Sequence, residues 1–178
     1  MARLIALLRA VNVGGRKLPM AELRALCGEL GWQDVETYIQ SGNVVFKASA
    51  KPEALEAELE KAITARFGLD VPVIVRTAKQ WAACAAANPF PAAARDEPNR
   101  LQLLLSQRPP HADAAEKLME RAQAGERVTA AGGALWFHFP EGVGSSKLTP
   151  ALIDKACGSP STGRNWRTVV QLGVMADA

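Results

Sequence analysis

Two short runs hold the residues best suited to seat a ligand. Asn12-Val13-Gly14-Gly15 follows an apolar stretch and precedes a helical one, and Gln40-Ser41-Gly42-Asn43 divides two strand-like stretches. Consecutive glycines ahead of a helix can turn several backbone N–H groups towards one point, and the helix N-terminus beside them favours an anion. Arg9, Arg16 and Lys17 bring positive charge to that turn. Gln40, Ser41 and Asn43 offer uncharged amides and a hydroxyl, groups that read a ligand's polar edge. The same residues also suit purely conformational work, as turn glycines and as side chains that satisfy a local turn. The glycines match neither the P-loop spacing nor Gly-x-Gly-x-x-Gly, so they name no particular nucleotide.

Further candidates lie near the C-terminus. Lys147 sits in the loop Gly144-Ser145-Ser146-Lys147, and Arg164 and Asn165 precede Trp166 at the predicted start of a last helix. A cation in the first helical turn opposes the helix dipole by about 0.3–1 kcal/mol, which a bound anion would relieve. Catalytic groups are scarce. His111 and His138 have no second ligand at metal spacing, and Cys27, Cys84 and Cys157 are far apart, so no metal site and no disulfide framework is expected. No Ser/His/Asp or Cys/His set can be assembled, and no motif calls for a cofactor.

The 178 residues, 48% hydrophobic and 22% charged, describe an ordinary globular protein with room for one large domain or two small ones. No apolar run approaches the roughly 20 residues that span a bilayer. Arg9 cuts the apolar start Leu4–Leu8 short of a signal sequence, and the expectation is a cytoplasmic protein. The net charge of +3 is mild, yet basic ends around an acidic middle (Glu53, Glu56, Glu58, Glu60) suit an anionic partner.

The elements that must position these residues follow from periodicity. Residues 4–11 are apolar on both strand faces apart from Arg9, which predicts a central strand covered on both sides. The guanidinium of Arg9 is expected to leave the sheet towards Gly14-Gly15. Pro19 opens a helix that Gly31 ends; strands over 35–40 and 44–47 flank a two-residue type II′ turn at Gly42-Asn43. A helix from Lys51-Pro52 ends at Gly68, and a fourth strand covers 71–76, giving β-α-β-β-α-β, a ferredoxin-like unit. In that topology the end of the first strand and the hairpin tip share one end of the sheet.

A short helix near 79–87 and a linker or structured loop to Pro98 follow. The rest reads as a strand over 101–106, a helix over 112–124 with Met119 inward, and a hairpin about Gly132-Gly133. Two helices follow, one capped by Thr149 and one by Ser161 or Thr162. The expected fold is therefore α+β in two units, a βαββαβ sandwich over 1–78 and a related βαββαα unit over 101–178, joined by 79–100.

Leu7 to Gly15 resembles the "LLRGINVGG" opening of a bacterial family of domains of unknown function, and Tyr38 to Phe46 is similar to its "YIQSGNVVF" run. Asn88-Pro89-Phe90, Ser146 to Thr149 and Arg164-Asn165-Trp166 resemble its later signatures, while Ala10 stands where that family has glycine. The resemblance implies a cytoplasmic two-part α+β protein and no particular activity. The leading functional reading is a binding module for a phosphate-bearing ligand, a nucleotide or nucleic acid, at the edge formed by the two motifs. A non-catalytic interaction domain is the alternative, and an enzyme on a small anionic substrate comes third.

Overall fold

The computed structural model describes residues 1–177. By its internal contacts the chain divides into two units: Met1–Trp81 with the chain from Leu172 onward, and Ala82–Gln171. Unit 1 contains β1 (Ala2–Leu8), α1 (Met20–Glu29), β2 (Gln33–Thr37), β3 (Asn43–Ala48), α2 (Pro52–Phe67) and β4 (Val73–Thr77). The sheet is antiparallel in the order β2-β3-β1-β4, so β1 is central, as its two apolar faces predicted. Leu4 to Leu8 are each at most 1% exposed. One face packs under the helices through Leu4, Ala6, Leu8, Val44, Phe46, Leu23, Leu59 and Ile63. Trp32 stacks on Phe46 with ring centroids 3.9 Å apart, a contact that adds about 0.5–1.5 kcal/mol beyond its burial. On the other face, shared with Ile5 and Leu7, Arg3 donates to Met175 O at 2.9 Å.

The helices stop where their glycines require. Gly31 (φ 85°) follows α1, with Gly31 N–H on Gly28 O and Trp32 N–H on Cys27 O, the paired bonds of a Schellman end. Gly68 (φ 66°) ends α2 in the same left-handed region.

Unit 2 carries β5 (Leu101–Ser106), α5 (Ala114–Arg121), β6 (Arg127–Ala131), β7 (Ala134–His138), α6 (Pro150–Cys157) and β8 (Ser161–Asn165). Before them, α3 (Ala78–Ala86) leads to α4 (Pro91–Asp96) and a 3₁₀ turn at Pro98–Arg100. Thus the stretch expected as a linker is largely helical. The last helix, α7, spans Trp166–Asp177. The sheet order is β6-β7-β5-β8, the order of unit 1 repeated.

Two expectations about unit 2 are corrected. Residues 161–165 form a fourth strand rather than the approach to a helix, so the unit is βαββαβ, with α7 added. Ser161-Thr162-Gly163-Arg164-Asn165 has no apolar alternation; its strand state comes from pairing with β5, Ser106 opposite Ser161 through Gln102 opposite Asn165. The cap of α7 is consequently Asn165, whose Oδ1 accepts from Thr168 N–H at 3.1 Å. Met119, expected inward, is 42% exposed; Ala114 and Leu118 fill the core instead.

In unit 1, β1 ends at Leu8 rather than at Val11, and the β2–β3 connection runs from Tyr38 to Gly42 rather than as a two-residue turn at Gly42-Asn43. Asn43 already pairs with Leu7 of β1, so it cannot serve as a turn residue.

Glu56, on α2, carries a pH prediction. Burial pushes its carboxyl up to about 7, although the Val75 N–H (2.9 Å) and the Arg76 guanidinium (3.6 Å) favour its ionised form. The folded pKa lies above the unfolded one, so the unfolded chain releases this proton first. Stability from this group is full below about pH 4.5 and is lost as pH rises through 7, by at most about 3–4 kcal/mol. Urea denaturation at pH 5, 7 and 9 should show that loss, and Glu56→Gln should flatten it.

Candidate functional site

The site is built from the two loops that meet at the end of β1. Beyond Leu8 the chain leaves the sheet: Arg9 N–H donates to Pro72 O at 3.1 Å, and Ala10 (φ 54°) and Asn12 (φ 56°) take left-handed conformations. Gly14 (φ 56°) and Gly15 (φ 79°) then form the centre of a tight turn in which Arg16 N–H donates to Val13 O at 3.1 Å. Positive φ at both central residues is the type I′ arrangement, which glycine adopts without strain. Asn12 N–H donates to Arg16 O at 2.7 Å and Lys17 N–H to Gly15 O at 3.1 Å. The anion nest expected at this turn is therefore narrower than its sequence suggests. The N–H groups of Arg16 and Lys17 are used within the loop, leaving those of Gly14 and Gly15 without an acceptor among the described residues.

The Asn12 side chain ties the loops together. Its Nδ2 donates to Gln40 O at 2.6 Å and to Leu18 O at 3.1 Å, and its Oδ1 accepts from Leu18 N–H at 2.9 Å. On the hairpin side, Asn43 is fully buried and its Nδ2 donates to Tyr38 O (2.9 Å) and Ser41 Oγ (2.8 Å). Asn43 thus closes the hairpin from within. Gly42 (φ 84°) donates no bulk where none fits: a Cβ there would lie 2.7 Å from both Leu8 Cβ and Val11 Cγ2. Its carbonyl accepts from Leu8 N–H at 2.8 Å.

Between the loops is a hollow of about 550 Å³ lined by Asn12, Gly15, Arg16, Lys17, Pro19 and Gln40. Arg16 Nη2 donates to Asp70 O at 2.5 Å, but its Nε is buried with no hydrogen-bond acceptor. Lys17 is exposed. Val13 (56%) and Ile39 (51%) stand out as exposed apolar side chains, one on each loop. Ile39 adopts φ 49°, a region that costs a β-branched residue about 1–3 kcal/mol. Of the four non-glycine residues with positive φ among the described residues, Ala10, Asn12 and Ile39 belong to these two loops and Asp34 does not.

The structure brings Asn12, Gly15 and Gln40 together, with Arg9 half-buried one residue beyond β1 and Gly14 and Ser41 beside them in the same loops. Lys147, Arg164 and Asn165 belong to unit 2. Lys147 is an exposed loop residue. Arg164 lies within β8, not in the first turn of a helix, so the helix-dipole argument for it falls. It is 8% exposed, and its Nη1 donates to Thr162 Oγ1 at 2.8 Å and to Gly163 O at 2.9 Å. Burial lowers its pKa to about 10, which still leaves it charged at neutral pH. Asn165 is occupied as the cap of α7.

Arg16 as a wall of the hollow, and the strain at Ala10 and Ile39, went unpredicted. Arg16 left a signal as a charge beside the glycine turn, and Ala10 as the residue standing where the similar motif has glycine. Burial pushes the Cys27 thiol up to about 12 and that of Cys157 up to about 11, each also beside an acid, Glu58 and Asp154. Among the described residues no cluster of three or more His, Cys, Asp or Glu is placed to hold a metal, and no helix is long and apolar enough to cross a membrane.

Residues 1–136, which include both loops, match the model of a family described as proteins of unknown function, DUF1697. The chain belongs to that family. No curated protein matches it. Among solved structures, the conserved bacterial protein SP0830 from Streptococcus pneumoniae is similar over 100% of this chain and 99% of its own, with a TM-score of 0.79 and 22% identity. At that identity the likeness shows a shared fold.

Two substitutions follow from the loop geometry. Ala10→Gly should relieve a left-handed alanine and stabilise the protein by up to about 1 kcal/mol, or a few degrees in melting temperature. Asn12→Ala should cost about 1–3 kcal/mol, since it leaves the Leu18 and Gln40 backbone groups without this partner. Hydrogen exchange should then quicken at Leu18 and through Tyr38–Gly42 while β1 stays protected.

Proposed function

We propose that this protein binds a small phosphate-bearing ligand, a nucleotide foremost, at the hollow between Asn12–Lys17 and Gln40–Ser41. The observation that carries the reading is Arg16, a permanently charged side chain on the wall of that hollow with a buried N–H donor and no acceptor for it. A buried donor left unpaired costs about 1–3 kcal/mol, which an anionic oxygen would recover. Lys17 and the free N–H groups of Gly14 and Gly15 add to the attraction, and Gln40 supplies an amide for an uncharged edge. Strain held in the same two loops supports a functional rather than a merely connecting role.

Nucleic acid is the less favoured form of this ligand. RNA-recognition sheets stack bases on exposed aromatics, and Phe46, the aromatic residue of the central strands β1 and β3, is fully buried against Trp32. A reading as an interaction domain draws on the exposed Val13 and Ile39. The two are separated by ligand and by residue. Thermal-shift and calorimetric titrations with a nucleoside diphosphate, a sugar phosphate and a short single-stranded RNA should give a signal with at least one. Arg16→Ala should weaken it by about tenfold or more, with the fold retained by circular dichroism. No signal with any of the three, or equal binding by Arg16→Ala, would exclude the proposal.

A further inference from the structure

Unit 2 contains a second hollow, of about 450 Å³, in the groove between α5 and α6. Leu118, Leu152 and Ala156 line it with apolar surface, and three cations, Lys117, Arg121 and Lys155, line it together with one acid, Glu120. Lys117 is already engaged: Asp113 lies 2.9 Å from its Nζ, and Glu120 also raises its pKa. Arg121 and Lys155 have no acidic partner and no hydrogen bond among the described residues, and both are exposed. The helix pair of unit 1 is different. There Arg66 of α2 is paired with Glu29 of α1, and Trp32 Nε1 donates to Glu58 at 2.9 Å. Arg66 and Glu29 thus pair across the helices of unit 1, whereas Arg121 and Lys155 stand unpaired around a hollow in unit 2.

The His111 ring also lines the hollow, over the end of α6. Only a glycine accommodates it there. A Cβ on Gly158 would lie 2.3 Å from His111 Nε2, and the φ of 85° is itself one that glycine favours.

We infer that this groove binds a small organic anion, with its acidic head between Arg121 and Lys155 and its apolar body on Leu118, Leu152 and Ala156. The volume is within the roughly 300–1,000 Å³ of small-molecule pockets. Neither half of the lining is sufficient alone: exposed cations bind simple ions weakly in water, and the apolar floor is small. The binding is independent of the site in unit 1.

The test uses the Arg16→Ala protein, so that the site in unit 1 does not contribute. Phenyl phosphate carries both halves of the ligand, inorganic phosphate only the charge, and phenol only the ring. Calorimetry or NMR titration should give a phenyl phosphate affinity about tenfold or more above that of either control. Shifted amide resonances should map to α5 and α6. Arg121→Ser with Lys155→Ser should remove that preference, and Glu120→Gln, which takes away the remaining acid on the lining, should strengthen binding severalfold. These positions are exposed, so the fold should survive, as circular dichroism will verify. Absence of phenyl phosphate binding, equal affinity for inorganic phosphate, or an undiminished affinity in the double variant would each overturn the inference.

Discussion

Strand β1 has neither a free edge nor a free face. It pairs with β3 on one side and β4 on the other, and its residues from Leu4 to Leu8 are buried. Each apolar side chain so buried contributes on the order of 1.5–3 kcal/mol, and a one-residue slip in register would disturb both ladders together. With its sides committed, only the strand's ends can carry exposed polar chemistry. The chain leaves the sheet at Arg9, and within a few residues it holds a left-handed alanine, a left-handed asparagine and a double-glycine turn.

The two units handle this exit alike at first. Arg9 N–H donates to Pro72 O just before β4, and Gln107 N–H donates to Pro160 O just before β8. The same bond, at the same place in the topology, closes both central strands. Then they diverge. Unit 1 turns through glycines and is tied to its hairpin by Asn12. Unit 2 runs through Arg108-Pro109-Pro110, with Ser106 Oγ donating to Arg108 O at 2.6 Å and Arg108 bonded to Ser159 and Gly158. One scaffold therefore presents two different ends, and strain is concentrated at the first.

The cysteines and the cationic groups of the chain lie in different surroundings. Burial disfavours the thiolates of Cys27 and Cys157, and the histidine–carboxylate contact between His138 and Glu97 (3.0 Å) is shared with Arg100, which also holds Glu97 at 3.2 Å. Cationic groups, by contrast, line both hollows described above, joined in the first by the amides of Asn12 and Gln40.

Much of this was legible in the sequence. Apolar alternation, the prolines that open helices and the glycines that end them specified the elements of unit 1 and their order. The βαββαβ order alone brings the Asn12 loop and the Gln40 hairpin to one end of the sheet, because each strand reverses its neighbour. Local pattern did not specify β8, whose five residues become a strand only because β5 offers an unpaired edge. Nor did it show that Asn43 would be sealed inside the hairpin while Gln40 stayed out, since both are amides in the same short run. The partners of Arg16 were equally invisible: Asp70 is 54 residues away along the chain, and a missing acceptor for Nε exists only once the surrounding backbone is in place. Periodicity is a property of neighbours in sequence, whereas hydrogen-bond satisfaction and charge pairing depend on neighbours in space, which only the tertiary fold decides.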